Sequence, residues 1–479
     1  MPHPATMFFL LTLIVIIASW VGDIYGLSII FPQSGEEVRV QNLLNADGLR
    51  WMLQNFVTNF TGFTPLGMVV IAMFGLGIAQ HSGFIDACIR RIIRNTRHEK
   101  QKVIITVIAL GIISNLVGDA GYIILLPIAA ALFASVSLNP VAGIVTAYVS
   151  VACGYSANIF LSIIDPVLSI STEKAAYLSG AWDMSTGPMC NFYFFFVSSF
   201  LIGIVIYIVT CRSLLPTIGR EEYVFKTTDR KPLSHKERRA LNLACVVGLI
   251  YLAFFIVASV LPSGLLRGVD GGLLYSPFTM NMLTILAVGF ALMGIIYGVS
   301  SGRYHKDSDV VDGFISCIGL LGIYFVIAFF AAQLYACFSY SHLDQYIAFN
   351  MASLLTSLSF GKLPTLLFFI VLTAIVNLVL TSATGKWGFM AFIFVPYFIK
   401  MGISPDVTQC AFRIGDSATN AITPFLFYMP LVLTLMQSYS KKITYGTLFR
   451  YTWRYSVYIL LAWMVLFVVW YISGLPFGR

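Results

Sequence analysis

Charge is what this sequence has least of: 10 % of its 479 residues are Asp, Glu, Lys or Arg, against 58 % that are hydrophobic. A soluble chain of this length needs a larger polar surface, so composition points to the bilayer as its solvent. Metal and redox patterns are missing too. The eight cysteines form no Cys-x-x-Cys pair, and Cys153, Cys190, Cys317, Cys337 and Cys410 sit in or beside apolar runs, which argues against a disulfide framework or a zinc site. The six histidines make no His-Glu-x-x-His set, and none falls at membrane depth to serve a nucleophile. Neither an enzyme nor a cofactor is therefore expected. The net charge of +8 is not a phosphate-binding stripe either. Its basic residues cluster at the ends of apolar segments, so nucleic acid is not an expected partner. Gly75-x-Gly77-x-Ala79-x-x-Ser82-Gly83 has the wrong spacing for a dinucleotide loop and reads as a small-residue helix-packing face.

What is present is a series of apolar runs of the length, about 20 residues, that crosses a bilayer. They lie near 7–30, 64–83, 140–170, 189–211, 241–262, 279–299, 313–338, 405–436 and 453–474. Placing the N-terminus inside makes 84–102, 212–240, 300–312 and 437–454 cytoplasmic, and these segments hold 20 of the 29 basic residues. No small-x-small cleavage site follows Met7–Val21, which reads as a retained first helix. The expectation is an all-α polytopic protein of a bacterial inner membrane, with a cytoplasmic N-terminus and a periplasmic C-terminus. Residues 1–211 and 240–479 form its halves, and 212–239 a hydrophilic linker.

Two stretches do not fit the span count. Val103–Ile113 and Tyr122–Ala134 flank the polar break Ser114–Asp119, and Leu363–Leu380 and Trp387–Phe398 flank Thr381–Lys386. Arms this short around a Gly-containing tip predict two re-entrant hairpins, about 103–134 and 363–400. The alternative is two ordinary helices with a short loop. Asn115-Leu116-Val117 recurs as Asn377-Leu378-Val379, and Gly154-x-Ser156-Ala157-Asn158 as Gly415-x-Ser417-Ala418-Thr419-Asn420. The near-equal offsets and shared order define an internal repeat, and the charge count gives its copies opposite orientations. A proline, Pro166 or Pro424, is expected to close each break. Inverted repeats with discontinuous helices are a design of secondary transporters, with the site near the membrane midplane.

Asp119, Asp165, Lys386, Arg413 and Asp416 fall at tips or breaks. Each would cost about 2.5–3.5 kcal/mol facing lipid at the bilayer centre, so they must face protein or water. Unwound carbonyls near Ser156–Asn158 and Ser417–Asn420 suit Na⁺, with Asn377, Asn158 and the carboxylates Asp165 and Asp416 completing a shell; Asn377, Asp416 and Asn158 are the candidate Na⁺ ligands. Arg413 and Lys386 suit a substrate carboxylate, and Trp387 an aromatic ring. The plainer readings are an Arg413–Asp416 pair, Asp119 as a helix N-cap, and Trp387 as packing.

At these residues the chain resembles the p-aminobenzoyl-glutamate transporter (AbgT) family. The matching stretches include Gly48-Leu49-Arg50-Trp51-Met52, Asn59-Phe60-Thr61-Gly62-Phe63, Met73–Ala79, Gly118–Tyr122, Gly154–Asn158 and Asp165-Pro166. Later come Lys386-Trp387, Phe394-Val395-Pro396, Ser404-Pro405, Thr408-Gln409, Arg413–Ser417, Thr423-Pro424 and Pro430–Leu433. The resemblance implies nine spans plus two hairpins, a homodimer, a central inward-opening cavity, and Na⁺- or H⁺-coupled transport of p-aminobenzoyl-glutamate, an anionic aromatic solute. Sulfonamide efflux is the alternative it implies, and a channel fits less well because repeated filter rings are missing. Carried over by motif, the functional positions are Asp165, Asn377, Thr384, Trp387, Arg413, Asp416 and Pro424. The family often has Ser where this chain has Thr384, followed by Ala where it has Gly385, which bears on substrate preference more than on fold.

Overall fold

The computed structural model describes residues 3–30, 37–92, 99–115, 121–162, 164–179, 186–219, 233–261, 264–268, 276–347, 350 and 361–478. Among these, seven helices are long and apolar enough to cross a membrane. They are α1 (Pro4–Ile24), the joined α2 (Ala46–Thr61) and α3 (Thr64–His81), then α9 (Phe192–Val209, continuing to Ile218), α10 (His235–Val260), α11 (Met282–Ser301), α13 (Ile318–Tyr340) and α18 (Tyr445–Ile472). Between them come α4 (Phe84–Ile92), α5 (Glu99–Ser114), α6 (Leu126–Ser135), α7 (Pro140–Ala152), α8 (Ile164–Leu178), α12 (Asp307–Ile315), α14 (Lys362–Val376), α15 (Ala383–Lys400), α16 (Pro405–Ala418) and α17 (Met429–Gln437). The fold is not purely helical. Strands β1 (Ser28–Ile30) and β2 (Glu37–Arg39) pair antiparallel, with Ile29 opposite Val38. A ribbon this short depends on the α1–α2 connection for its stability.

The helix starts follow from local chemistry. Asn45 accepts from the Gly48 N–H to begin α2, and Asn139 accepts from Val141 N–H ahead of Pro140 to begin α7. At α10 the Ser234 hydroxyl accepts from the Glu237 N–H while the Glu237 carboxylate accepts from the Ser234 N–H, a reciprocal cap. The predicted spans 140–170 and 405–436 are each two short helices, α7 and α8, then α16 and α17, with non-helical backbone between.

Burial runs opposite to that of a soluble protein. The helices that run into the breaks lie innermost: every residue of α7 is buried, and so is almost all of α16. The long α10 keeps Leu243, Val246, Leu249, Ile250, Phe254, Val257 and Val260 exposed. Broken helices leave backbone groups that lipid cannot satisfy, so they must be wrapped in protein, while unbroken apolar helices can face hydrocarbon. The Gly75–Gly83 stripe is a packing face: a Cβ on Gly75 would lie 2.2 Å from the Ala287 carbonyl of α11. Gly77 similarly abuts the Gly313 carbonyl of α12, and the Ala79 backbone meets Gly294 of α11.

Helices α5 and α6 pack against each other, with residues 116–120 between them, so Asp119 lies outside the described residues. Helices α14 and α15 form the later pair. Lys362 Nζ donates to the Gly402 carbonyl, bringing their outer ends together, and Phe369 packs on Phe394 and Phe398. The tip between them differs from the expected Thr381–Lys386. Helix α14 stops at Val376, and Ser382 accepts from the Gly385 N–H and starts α15 at Ala383, so the break spans 377–382 and Lys386 already lies in a helix. Only one proline sits as expected. Pro166 falls in the first turn of α8, at the close of the first break, whereas Pro424 lies midway through the second break and Pro430 stands at the start of α17.

Candidate functional site

The two helix breaks meet at the centre of the molecule. Ser417 Oγ donates to Ser156 Oγ at 2.7 Å, joining the equivalent serines of the two copies of Gly-x-Ser-Ala directly. Asn420 Nδ2 donates to the Ala152 carbonyl at the end of α7, and Tyr148 OH donates back to the Asn420 carbonyl. Each copy of Asn-Leu-Val supplies an asparagine that reaches the broken helix of its own repeat. Asn115 Nδ2 lies within reach of the Gly111, Ile112 and Val151 carbonyls, while Asn377 Nδ2 donates to Thr419 Oγ1 and to Asn420 Oδ1. Gly415 lets α14 approach α16 so closely that a Cβ there would lie 2.3 Å from the Ile370 carbonyl.

Four charges are buried in this contact, paired differently from the sequence expectation. Arg413 and Asp416 share α16 but do not pair. Arg413 Nη1 reaches Asp165 Oδ1 of the other half at 2.6 Å, its Nε lies 3.5 Å from Ser156 Oγ, and its guanidinium stands 4.2 Å over the Phe195 ring. Asp165 Oδ2 accepts from the Ser162 N–H and hydroxyl just ahead of α8. Asp416 Oδ1 lies 2.7 Å from Lys386 Nζ, and that ammonium also donates to Asn377 Oδ1 at 2.6 Å and to the Leu380 carbonyl at 3.0 Å. The ammonium thus makes two hydrogen bonds and one ion pair. All four side chains are at most 6 % exposed. Burial of this kind is tolerated only because each charge is paired and hydrogen-bonded; removing one partner typically costs about 3–5 kcal/mol.

Trp387 is wholly covered in this conformation, its ring 4.4 Å from that of Phe412 and its Nε1 donating to Thr172 Oγ1 at 2.8 Å. Thr172 Oγ1 in turn lies 2.6 Å from Gln409 Oε1, so one hydroxyl ties α15 to both broken helices. Thr172 and Gln409 were not singled out from sequence. The signal was there: Asp165, Ser169 and Thr172 on α8, and Gln409, Arg413 and Asp416 on α16, each recur at i, i+4, i+7 as a polar stripe on one helix face. Thr384 is exposed, and Pro424 is half-buried.

A cavity of about 840 Å³ opens beside the tip of the α14–α15 pair. Leu380, Thr381, Ser382, Gly385 and Gly388 form one side, and Phe63, Tyr335, Phe338, Phe427 and Tyr428 give it aromatic walls. Gly385 and Gly388 lie on the cavity face of α15, whereas Lys386 and Trp387 are buried on the other. Asp344 is the only charged side chain among the described residues of the lining. The expected cations are thus behind the wall and already paired.

Comparison with known proteins covers the whole chain. The curated p-aminobenzoyl-glutamate transport protein of Escherichia coli (strain K12) is 28 % identical over 481 residues, spanning 100 % of this chain and 93 % of that protein. Among solved structures, the YdaH transporter of Alcanivorax borkumensis is 34 % identical with a TM-score of 0.55, covering 100 % of both chains. MtrF of Neisseria gonorrhoeae, described with a class of antimetabolite efflux pumps, is 35 % identical with a TM-score of 0.53 over 98 % of this chain and 95 % of its own. The profile of the AbgT putative transporter family matches residues 1–479, and the chain belongs to that family.

Proposed function

We propose that this protein is a secondary active transporter that moves p-aminobenzoyl-glutamate across the bacterial inner membrane, coupled to Na⁺ or H⁺ and working by alternating access. The observation that carries the reading is the buried Asp165–Arg413 pair joining the breaks of the two halves. Neutral side chains would hold such a core together more cheaply, so charges kept there point to a solute or ion pathway. In this reading α7–α8 and α16–α17 each count as one interrupted crossing, which makes nine with the seven long helices. The α5–α6 and α14–α15 pairs enter from opposite sides and turn back. Helices of 15–18 residues are about 22–27 Å long, short of a hydrocarbon core of about 30 Å. The basic segments put the N-terminus in the cytoplasm and the C-terminus in the periplasm, and the family resemblance supports a homodimer.

The cavity suits one end of this substrate well. Its aromatic walls accept a benzoyl ring, and Asp344 offers a carboxylate to the arylamine N–H. The glutamyl carboxylates face the other way, towards Ser382 and the first N–H groups of α15, where Gly385 and Gly388 leave the backbone accessible. Lys386 and Arg413 then exchange Asp416 and Asp165 for substrate during the cycle, with Thr384, Trp387 and Pro424 shaping the tip around it. Uptake of labelled p-aminobenzoyl-glutamate into proteoliposomes tests the proposal; no flux in either direction under a Na⁺ or H⁺ gradient would sink it. Efflux of sulfonamides is the second reading, favoured by the MtrF likeness and by the arylamine that both solutes would offer Asp344. Sulfonamide tolerance of a strain lacking the protein separates the two.

A further inference from the structure

Helix α4 and the start of α10 belong to the segments whose basic residues make them cytoplasmic, away from both breaks. Two polar links tie them together. Arg90 Nη2 lies 3.1 Å from Glu237 Oε1, and the Arg91 guanidinium donates to Asn242 Oδ1. Glu237 is itself fixed by its reciprocal cap with Ser234, so the first turn of α10 is held against α4. Beside these links the two helices line a groove of about 490 Å³. Arg91 and Asn242 stand at its outer end, and Cys88, Cys245, Val246 and Leu249 line the rest.

Arg238, Asn242, Cys245 and Leu249 recur at i, i+4, i+7 and i+11, so the stripe of α10 that lines the groove leads back to a second cation. From Arg238 to Leu249 the helix rises about 16 Å, roughly half of a hydrocarbon core of about 30 Å. The groove therefore joins a charged end at the membrane surface to apolar walls that reach the depth of one leaflet. Val246 and Leu249 are 51 % and 67 % exposed, so its apolar part opens towards hydrocarbon rather than into the protein core. The charge at the outer end is not balanced by the protein. Glu237 is taken up by Arg90, and Asp86 stands at the far end of α4. Arg91, Arg238 and Arg239 are exposed, and among the described residues none of them is paired with a carboxylate. A second copy packed here about a two-fold axis would set these arginines against their own equivalents, and like charges repel. An anion that carries an apolar tail suits both ends of the groove at once.

We propose that this groove binds an anionic phospholipid of the cytoplasmic leaflet, with its phosphate between Arg91 and Arg238 and one acyl chain along Cys245, Val246 and Leu249. Asn242 takes one of the Arg91 N–H groups and leaves the others for phosphate oxygens. The site shares no residue with the breaks or with the cavity beside the α14–α15 tip. It rests on the cytoplasmic placement of these segments and not on the identity of the transported solute.

Native mass spectrometry of the full-length protein in neutral detergent, titrated with dioleoyl phosphatidylglycerol or dioleoyl phosphatidylcholine, tests this separately from transport. One phosphatidylglycerol per chain should bind about tenfold or more tighter than phosphatidylcholine. Arg91→Gln and Arg238→Gln should each weaken the phosphatidylglycerol about fivefold, and together about thirtyfold, as expected for two cations at a membrane surface. Val246→Trp, which fills the groove and keeps the arginines, should weaken both lipids. Lys441→Gln, at an exposed position on another cytoplasmic turn, should change nothing. If Arg91→Gln does not fold, Arg238→Gln still decides, since Arg238 is exposed. Equal affinity for the two lipids in the wild type, or a double arginine variant that binds like wild type, would overturn the proposal. So would displacement of phosphatidylglycerol by millimolar inorganic phosphate, which marks a site for free anions. Cross-linking between copies through Leu249→Cys in membranes would overturn it too, because a second copy would then cover the groove.

Discussion

In the first repeat three amide atoms of Asn115 and Asn158 have no protein partner, whereas in the second Asn377 and Asn420 are held among Lys386, Thr419 and the Ala152 carbonyl. The backbone plan is nevertheless shared. Both copies have a helix pair with an asparagine at its tip, a Gly-x-Ser-Ala motif that ends a helix, and a stretch of irregular chain buried in protein. What the copies share is what a break inside a membrane needs to exist, namely glycine for close approach and polar side chains for orphaned backbone groups. What they do not share is the Lys386–Asp416 pair, which that requirement does not explain.

Predictions about this comparison run from large effects to small. Removing the link between halves should cost most. Arg413→Ala or Asp165→Ala leaves a buried charge without its partner, at about 3–5 kcal/mol, and uptake should be lost. Replacing both with apolar residues should recover most of the thermal stability in detergent while leaving uptake absent. A double variant that transports normally would reduce the pair to a structural device. Within the second repeat alone, Asp416→Ala strands Lys386; transport should be abolished while assembly is retained by size-exclusion chromatography. Full activity there would remove the functional distinction between the copies.

The symmetric contact should behave symmetrically. Ser156→Ala and Ser417→Ala each delete the same hydrogen bond, so each should cost about 1 kcal/mol. Ser156→Ala should cost slightly more, because it also removes the long contact from Arg413 Nε, and the double variant should cost little more than Ser156→Ala. Additive losses would mean that the serines act independently. Outside both breaks, Glu237 serves as a control. Its carboxyl is held below the usual carboxylate range, first by the Ser234 N–H and further by Arg90. A depressed carboxylate stabilises the fold above its unfolded-state pKa of about 4.3, and that contribution fades as the pH falls through the folded value. Glu237→Gln should therefore lower thermal stability slightly at neutral pH, by about 1 kcal/mol or less at this partly exposed site, and not at all in acid.

The long apolar helices and the short arms beside them were legible because each rests on local pattern: apolar runs of bilayer length, and shorter runs around polar breaks. The pairing of Arg413 was not. Helical spacing put it beside Asp416, but Asp165 lies at the start of a helix some 250 residues earlier in the chain, and only the crossing of the breaks brings them together. The position of the second tip was missed because a single capping serine, Ser382, starts α15 earlier than hydropathy suggests. That moved Lys386 from an open tip to a buried helix face and turned an expected substrate contact into the partner of Asp416. The cavity was equally hidden, since α2, the α2–α3 link, α13, the α14–α15 tip and the second break each supply only a few of its residues.

The most direct test is the initial rate of p-aminobenzoyl-glutamate uptake into proteoliposomes as a function of external Na⁺ at fixed pH, with choline as the replacement ion. Coupling to Na⁺ predicts a rate that saturates with Na⁺, and coupling to H⁺ a rate equal in Na⁺ and choline that follows an imposed pH gradient. Uptake that responds to neither ion would contradict the account.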